Sequence, residues 1–129
     1  MPKMIRAQSA ISVFDPDLTT CPAVACHLDF AEHAAEVPLH THRKGQLIFA
    51  RHGAVTCTAD DQIWIVPANC GVWIPGGVQH SARATFNARL SYLFVEPGSA
   101  NLPENCCTLS ISPMIREMIG WLADQNTDY

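Results

Sequence analysis

The sequence predicts an all-β domain, a sandwich or a closed barrel, that ends in a single α-helix. Short β-favouring runs follow one another closely and are punctuated by glycine and proline, which is typical of all-β folds. No helical stretch lies between these runs to act as a crossover, so an α/β fold is disfavoured. An amphipathic helical pattern follows the last run, and a length of 129 residues corresponds to one domain.

Seven runs account for most of the predicted strands. Residues 24–30 alternate between apolar and polar side chains with the two-residue period of a half-buried strand. Residues 46–52 are rich in β-favouring types and stop at Gly53, and residues 63–66 stop at Pro67. The other runs have similar composition and similar boundaries: 54–59, 72–74, 90–95 and 108–111. We also expect a strand to begin at His80.

The predicted helix covers about residues 112–123. Ser112 is a good N-cap, and proline suits the first helical position that follows it. Four apolar residues recur at i, i+3, i+4 and i+7 and form one face: Ile115, Met118, Ile119 and Leu122. This face either packs over an open end of the barrel or, with Trp121, pairs with a second subunit. Residues 124–129 are polar and predict the start of a linker.

Composition argues against several functions. Eight basic residues stand against twelve acidic ones, a net charge of −4, whereas domains that grip DNA are usually basic. No apolar stretch approaches the roughly 18 residues of a membrane helix, and the first residues do not resemble a signal peptide. The six cysteines contain no CxxC pair, and Cys106 and Cys107 are adjacent, so we expect free thiols and a cytoplasmic protein.

The most informative residues are three histidines and a glutamine between positions 40 and 80. His40 and His42 are two residues apart, and such residues point the same way on an extended strand. Gln46 has the same parity and joins them if the strand stays regular. His80 follows a Pro-Gly-Gly turn. If the two hairpins face each other, the three histidines meet inside the barrel.

This set of side chains predicts a metal site. Three neutral imidazoles suit zinc or nickel and leave a fourth position open to water or a ligand. Gln46 offers a neutral amide oxygen, either as a further ligand or as a hydrogen-bonding pocket residue. Non-haem iron oxygenases favour two histidines and a carboxylate, so we expect zinc or nickel rather than iron. The alternative is a metal-free pocket whose histidines bond to one another, to water or to an organic ligand.

Other candidates rest on weaker patterns. Trp64 and Trp73 either line a ligand pocket or, as we favour, pack in the core or at a subunit interface. Arg43 and Lys44 form a cationic pair beside the site that either attracts an anionic ligand or, as we favour, is solvated. The remaining histidines have no such partners in the sequence and are expected to be ordinary strand or surface residues: His27, His33 and His52.

The two histidine stretches resemble the motifs of the cupin family. His-x-His, three residues, an acid or amide, six residues and Gly is the first cupin motif, here at 40–53, and Pro-x-Gly-x-x-His is the second, here at 75–80. The resemblance implies a double-stranded β-helix, a jelly-roll barrel that encloses a ligand cavity. Further segments resemble the N-terminal domain of AraC-type transcription regulators over about residues 20–123: HTHRKGQL at 40–47, WIVP at 64–67, VWIP at 72–75 and SISPMIRE at 110–117.

This second resemblance implies that residues 1–123 sense a small-molecule or metal effector and help the protein to form a homodimer. AraC-type regulators bind DNA through a C-terminal pair of helix-turn-helix motifs. Nothing basic, helical and long enough follows Trp121, so we expect that half to be absent from this chain. The alternative function is a metal-dependent cupin enzyme, such as a dioxygenase, isomerase or decarboxylase. Enzymatic cupins usually carry Glu where this chain has Gln46, which disfavours iron chemistry.

Overall fold

A computed structural model describes residues 4–5, 15–29 and 35–125. Within these ranges lie ten strands and, after them, one α-helix, α1, over Pro113–Gln125, while a short 3₁₀ helix covers Pro16–Leu18. The strands are β1 Met4–Ile5, β2 Ala23–Asp29, β3 Ala35–His40, β4 Gly45–His52, β5 Val55–Ala59, β6 Gln62–Ile65, β7 Cys70–Ile74, β8 His80–Ala84, β9 Arg89–Val95 and β10 Cys107–Ser110. The predicted strand runs are therefore confirmed. Phe30 at the end of the first predicted run, His33, and residues 126–129 of the predicted linker lie outside the described residues. Asp124 and Gln125, which were predicted to begin the linker, belong to helix α1.

The strands form two sheets. The larger has the order β1-β2-β9-β4-β7-β10 and the smaller has the order β3-β8-β5-β6. Among these strands, all neighbours pair antiparallel except β1 and β2. The predicted all-β class with one C-terminal helix is confirmed.

Pairing registers assign the residues to the two faces of the larger sheet. Gln46 lies opposite Ile74 on one neighbour and opposite Phe94 on the other, so these three side chains share a face. This face is turned toward the smaller sheet, because the Phe94 ring contacts His42, whose ring meets that of His80. Leu47, one residue further along β4, belongs to the opposite face. The interior thus combines an apolar core with the polar residues of the two histidine motifs.

Helix α1 covers the outer face of the larger sheet. Its first turn is capped as predicted, since the Ile115 amide donates to the Ser112 Oγ at 3.2 Å. Ile119 and Ala123 are buried against the barrel, and the Arg116 guanidinium lies 4.9 Å from the centroid of the Phe49 ring.

The predicted apolar face of α1 is divided by this packing. Ile119 is buried and Leu122 is half-buried against the core. Ile115 and Met118 remain exposed, together with Trp121, whose exposed fraction is 65%. The helix packs on the outer face of the larger sheet, against β2 and β9, and not over an open end of the barrel as one alternative predicted. One edge of the apolar face makes this contact and the other edge is exposed, so pairing with a second subunit stays a prediction. No helix among the described residues has the length and apolar character needed to cross a membrane.

Candidate functional site

The structure brings the three predicted histidines together at one end of the interior. His40 ends β3, His42 lies in the connection that follows, and His80 begins β8 directly opposite His40. Ring centroids are 4.3 Å apart for His40 and His80, 4.9 Å for His42 and His80, and 5.5 Å for His40 and His42. One ligating nitrogen from each ring lies within 4.8 Å of the others.

Backbone contacts join the connection after β3 to the turn before β8, next to this cluster. The Gly77 amide donates to the His42 carbonyl at 2.9 Å. Gly76 fits so closely that a Cβ atom built on it would lie 1.9 Å from the Arg43 carbonyl oxygen. Gly77 itself has a φ of +84°, a conformation that favours glycine. The glycines of the second motif thus position the first motif's loop against the start of β8.

Backbone carbonyls fix the tautomer of every ring in the cluster. The Nδ1 atom of His40 lies 2.8 Å from the Pro38 carbonyl, and the Nδ1 of His80 lies 2.8 Å from that of Val78. His42 makes the same contact at 2.6 Å to the Lys44 carbonyl. A carbonyl only accepts, so each Nδ1 carries the proton and each neutral ring presents a lone pair at Nε2. This arrangement is the one that orients metal-binding histidines in proteins.

His80 holds the most informative atom of the site. Its ring is buried, and its Nε2 has no hydrogen-bond partner among the described residues. Burial lowers the pKa of His80 to about 4, and the neighbouring His40 and His42 act in the same direction against the opposing effect of the Val78 carbonyl. A neutral ring whose buried lone pair has no partner is suited to a Lewis acid or to a donor carried by a ligand.

Gln46 extends the cluster on the opposite sheet. Its Oε1 is placed 3.1 Å from the His42 Nε2, and the side chain is buried. Because that Nε2 is an acceptor in the neutral ring, a direct hydrogen bond requires the Gln46 NH₂ to face it. The alternative is a cation that both atoms ligate: two ligands of one tetrahedral zinc ion lie about 3.3 Å apart.

The donor set therefore fits a divalent metal. It offers three imidazole nitrogens, whose lone pairs are oriented by the backbone carbonyls, and one amide oxygen. The three nitrogens, at up to 4.8 Å, are wider apart than the about 3.3 Å expected around zinc, so binding would draw the rings inward. The structure shows that this cluster can hold a metal.

Sequence reasoning missed two aromatic residues of the interior. Tyr92 and Phe94 lie on β9 with their rings stacked at 5.6 Å, and Phe94 meets the His42 ring edge-on at 5.4 Å. Both alternate with outward-facing residues in the run at 90–95, but only the register with β4 shows which set faces inward.

Cys26 and Cys57 are neutral thiols, because burial raises the pKa of each to about 12.

The two tryptophans lie on different sheets. Trp64 is half-buried on β6, and its Nε1 donates to the Ala59 carbonyl at 3.3 Å. Trp73 is buried on the face of β7 opposite to Ile74, where it packs over Gly45 and donates to the Pro103 carbonyl at 2.7 Å. Trp73 borders a separate surface cavity of about 300 Å³ and does not face the histidines.

The prediction that Arg43 and Lys44 are solvated is wrong for Lys44. Its side chain is fully buried, and its Nζ donates to the Glu96 Oε1 at 2.7 Å and to the Thr19 carbonyl. Arg43 binds the same carboxylate at 2.8 and 2.9 Å. Asp17 accepts from the backbone amides of both residues. No local pattern indicated this network, because Glu96 is 52 residues away from Lys44 along the chain.

The other described histidines stay outside the cluster, as predicted. His27 is half-buried on β2, with its Nδ1 2.9 Å from the Ser91 Oγ. Burial and the nearby Arg51 lower the pKa of His27. His52 is exposed at the end of β4.

Comparison with known proteins gives a family match over most of the chain. The family described as "AraC-like ligand binding domain" matches residues 24–127. The HTH-type transcriptional regulator NimR of Escherichia coli K12 is 48% identical over 114 residues, which cover 88% of this chain and 42% of that protein. This chain therefore spans less than half the length of the regulator that it matches.

Solved structures show the same fold at low identity. An apo structure of ToxT from Vibrio cholerae gives a TM-score of 0.57 at 6% identity, covering 84% of this chain and 49% of that one. An RmlC-like cupin from Shewanella frigidimarina gives 0.52 at 23% identity, covering 60% and 68%. A variant of oxalate decarboxylase from Bacillus subtilis gives 0.51 at 18% identity, covering 83% and 31%. These likenesses confirm the cupin fold and carry no information about activity.

Proposed function

Because this chain belongs to the AraC-like ligand-binding domain family, we propose that it is the effector-sensing and dimerising part of a DNA-binding transcription regulator. Residues 1–123 form the sensor, and the linker follows helix α1, which ends at Gln125 rather than at the predicted residue 123. DNA binding belongs to helix-turn-helix motifs in the part of the regulator that this chain does not span. The similarity to a regulator of more than twice the matched length supports this division.

The effector site of this proposal is the histidine cluster inside the barrel. His40, His42 and His80 bind a divalent metal, zinc or nickel, and Gln46 is the fourth ligand. The observation that carries the proposal is the buried His80 Nε2, which has a lone pair and no partner in the described part of the chain. A bound metal would supply a Lewis acid and a fixed positive charge, while the protein supplies the orientation of the rings.

The proposal assigns no catalytic residue. Gln46 occupies the position at which cupin enzymes usually carry Glu, and the cluster contains no carboxylate from the described residues. This ligand set disfavours the iron chemistry of the alternative function, a metal-dependent enzyme.

Dimerisation is proposed to use the open part of helix α1. Ile115, Met118 and Trp121 form an exposed apolar surface on a helix that is already held on the barrel by Ile119. Exposed apolar patches of this kind mark interaction sites. A second copy of the same helix is the partner that the family's dimerising role favours.

Signal transfer in this proposal is a shift between two conformations of the barrel. The His42 ring touches Phe94 on β9, and α1 packs against β9 and its neighbour β2. A metal that draws the His42 ring inward changes the contact between this ring and Phe94. Because Phe94 lies on β9, the change also alters how helix α1 packs against β9. The effector then favours one arrangement of the dimer over another.

Metal content of the purified chain tests the effector site. We expect about one zinc or nickel ion per chain in the wild-type protein under metal-replete conditions without chelator. His42→Ala should lower metal affinity by at least about 100-fold, because one of three strong ligands is lost. His52→Ala is the matched control, since this exposed histidine lies outside the cluster, and it should retain the metal. Equal metal content in all three proteins would contradict the proposed site.

A further inference from the structure

The ligand set of the proposed metal site has no negative charge. An imidazole that ligates a metal through Nε2 and keeps its proton on Nδ1, where it donates to a carbonyl, is neutral, and Gln46 adds a neutral amide. No Asp or Glu among the described residues joins the cluster. A divalent ion held by these groups would keep its full charge of +2.

The charged side chains beside the site balance one another: Asp17, which also interacts electrostatically with His42, and Glu96 stand against Arg43 and Lys44. Ile74 and Phe94 flank Gln46 on the neighbouring strands. The nearby carboxylates are engaged elsewhere: Asp17 accepts from the backbone amides of Arg43 and Lys44, and Glu96 binds the side chains of the same two residues. A net charge held in a partly buried, apolar site is unfavourable until an opposite charge pairs with it.

We infer that the effector, or an obligatory part of it, is a small carboxylate anion that binds the metal as a fifth ligand, in addition to the three histidines and Gln46. This inference rests on the proposed function, because it requires the metal. His40 and His42 are half-buried whereas His80 is buried, so the site is open on the side of the first two rings. Phe94, edge-on to His42, gives the body of the carboxylate an apolar wall.

The hydrogen-bond donors favour a carboxylate over phosphate or sulfate. Tetrahedral oxyanions need several donors for their remaining oxygens. All three Nδ1–H groups of the cluster already donate to carbonyls. The Lys44 Nζ donates to Glu96 and to the Thr19 carbonyl, and the Arg43 guanidinium is held by Glu96. A carboxylate that binds the metal through one oxygen has only one other oxygen that needs a hydrogen-bond donor.

The test uses the full chain loaded with Co²⁺, whose visible absorption reports its ligands. Acetate and benzoate are the probes, acetamide and benzamide are their neutral isosteres, and inorganic phosphate is the third comparison. We expect a saturable spectral change with both carboxylates and at least about tenfold weaker responses to the amides and to phosphate. A carboxylate response no stronger than that of its amide would overturn the inference while leaving the metal site intact.

A charge placed inside the site separates this inference from the metal proposal. Gln46→Glu supplies the missing negative charge, so it should keep Co²⁺ and weaken acetate binding at least about tenfold. Gln79→Glu adds the same charge at an exposed position one residue before His80 and should leave acetate binding within about twofold of wild type. Equal weakening in both variants would overturn the assignment to the interior. Failure of the wild-type chain to bind Co²⁺ would overturn the metal site and the inference with it.

Discussion

The Gly77 amide donates a hydrogen bond to the carbonyl of His42, and these two residues belong to the two motifs that carry the histidines. The bond joins the connection after β3 to the turn before β8. Gly76 lies against the same connection, with no room for a Cβ beside the Arg43 carbonyl. The relative position of His42 and His80 is therefore set by backbone contacts as well as by side-chain packing.

Replacing Gly76 with alanine should destabilise the domain. The added methyl would meet the Arg43 carbonyl at 1.9 Å, and relief requires the two loops to move apart. We expect a loss of about 1–3 kcal/mol in the free energy of unfolding, the usual size for overpacking, measured by urea denaturation.

Gly120→Ala is the matched control for this variant. Nothing lies within 4 Å of a Cβ at Gly120 in helix α1, so alanine there should stabilise by about 0.5–1 kcal/mol. If Gly76→Ala were as stable as the wild type, the contact between the two loops would not be tight.

Glu96 should make the stability depend on pH in the acid range. Hydrogen bonds from Arg43 and Lys44 lower the pKa of Glu96 from 4.5 to about 2 in the folded protein. The folded state therefore favours the ionised carboxylate, and this stabilisation is complete above pH 4.5 and is lost as the pH falls toward 2. The difference in free energy of unfolding between wild type and Glu96→Gln should shrink across that window.

Glu36→Gln serves as the control, because the Glu36–Arg83 pair is largely exposed and should contribute little at any pH. A wild-type advantage over Glu96→Gln that persisted unchanged at about pH 2 would show that the ion pairs are not its source.

Substitutions on the exposed and the buried sides of helix α1 should change self-association and stability separately. Met118→Glu places a charge on the exposed apolar surface and should convert dimer to monomer in sedimentation experiments while leaving the thermal midpoint nearly unchanged. Ile119→Ala removes a buried side chain and should cost about 2–4 kcal/mol of stability. Glu117→Gln, at a neighbouring exposed position, is the control and should alter neither property. A Met118→Glu protein that stays dimeric would exclude this surface as the interface.

Much of the fold could be predicted because the strand runs have clear periodicity and clear boundaries. The part of β3 before His40 was not predicted, because Pro38 interrupts the run. The shift of register between Val37 and His40 arises from pairing with β8 and has no local signal in the sequence. His42 was expected on a strand and lies in the connection beyond it, yet its ring still joins His40 and His80. The spacing of the motif thus correctly predicted that the three rings meet, but it did not predict the backbone conformation at His42.

The remaining features depend on contacts between distant residues. Lys44 is buried because the pairing of β4 with β9 aligns Gly45 with Val95 and so brings Glu96 beside it. The residue types at positions 43 and 44 do not indicate that Glu96 is their partner. Helical periodicity likewise grouped Met118 with Ile119, but only packing on the sheet decides which of them is covered.

X-ray absorption at the zinc edge of the zinc-loaded chain tests the central claim most directly. The account predicts three imidazole nitrogens at about 2.0–2.1 Å, with the remaining ligands nitrogen or oxygen. His80→Ala should remove one imidazole from the zinc shell, whereas His27→Ala should leave the spectrum unchanged. A zinc–sulfur distance near about 2.3 Å, or a spectrum with fewer than three imidazoles in the wild-type protein, would contradict the account.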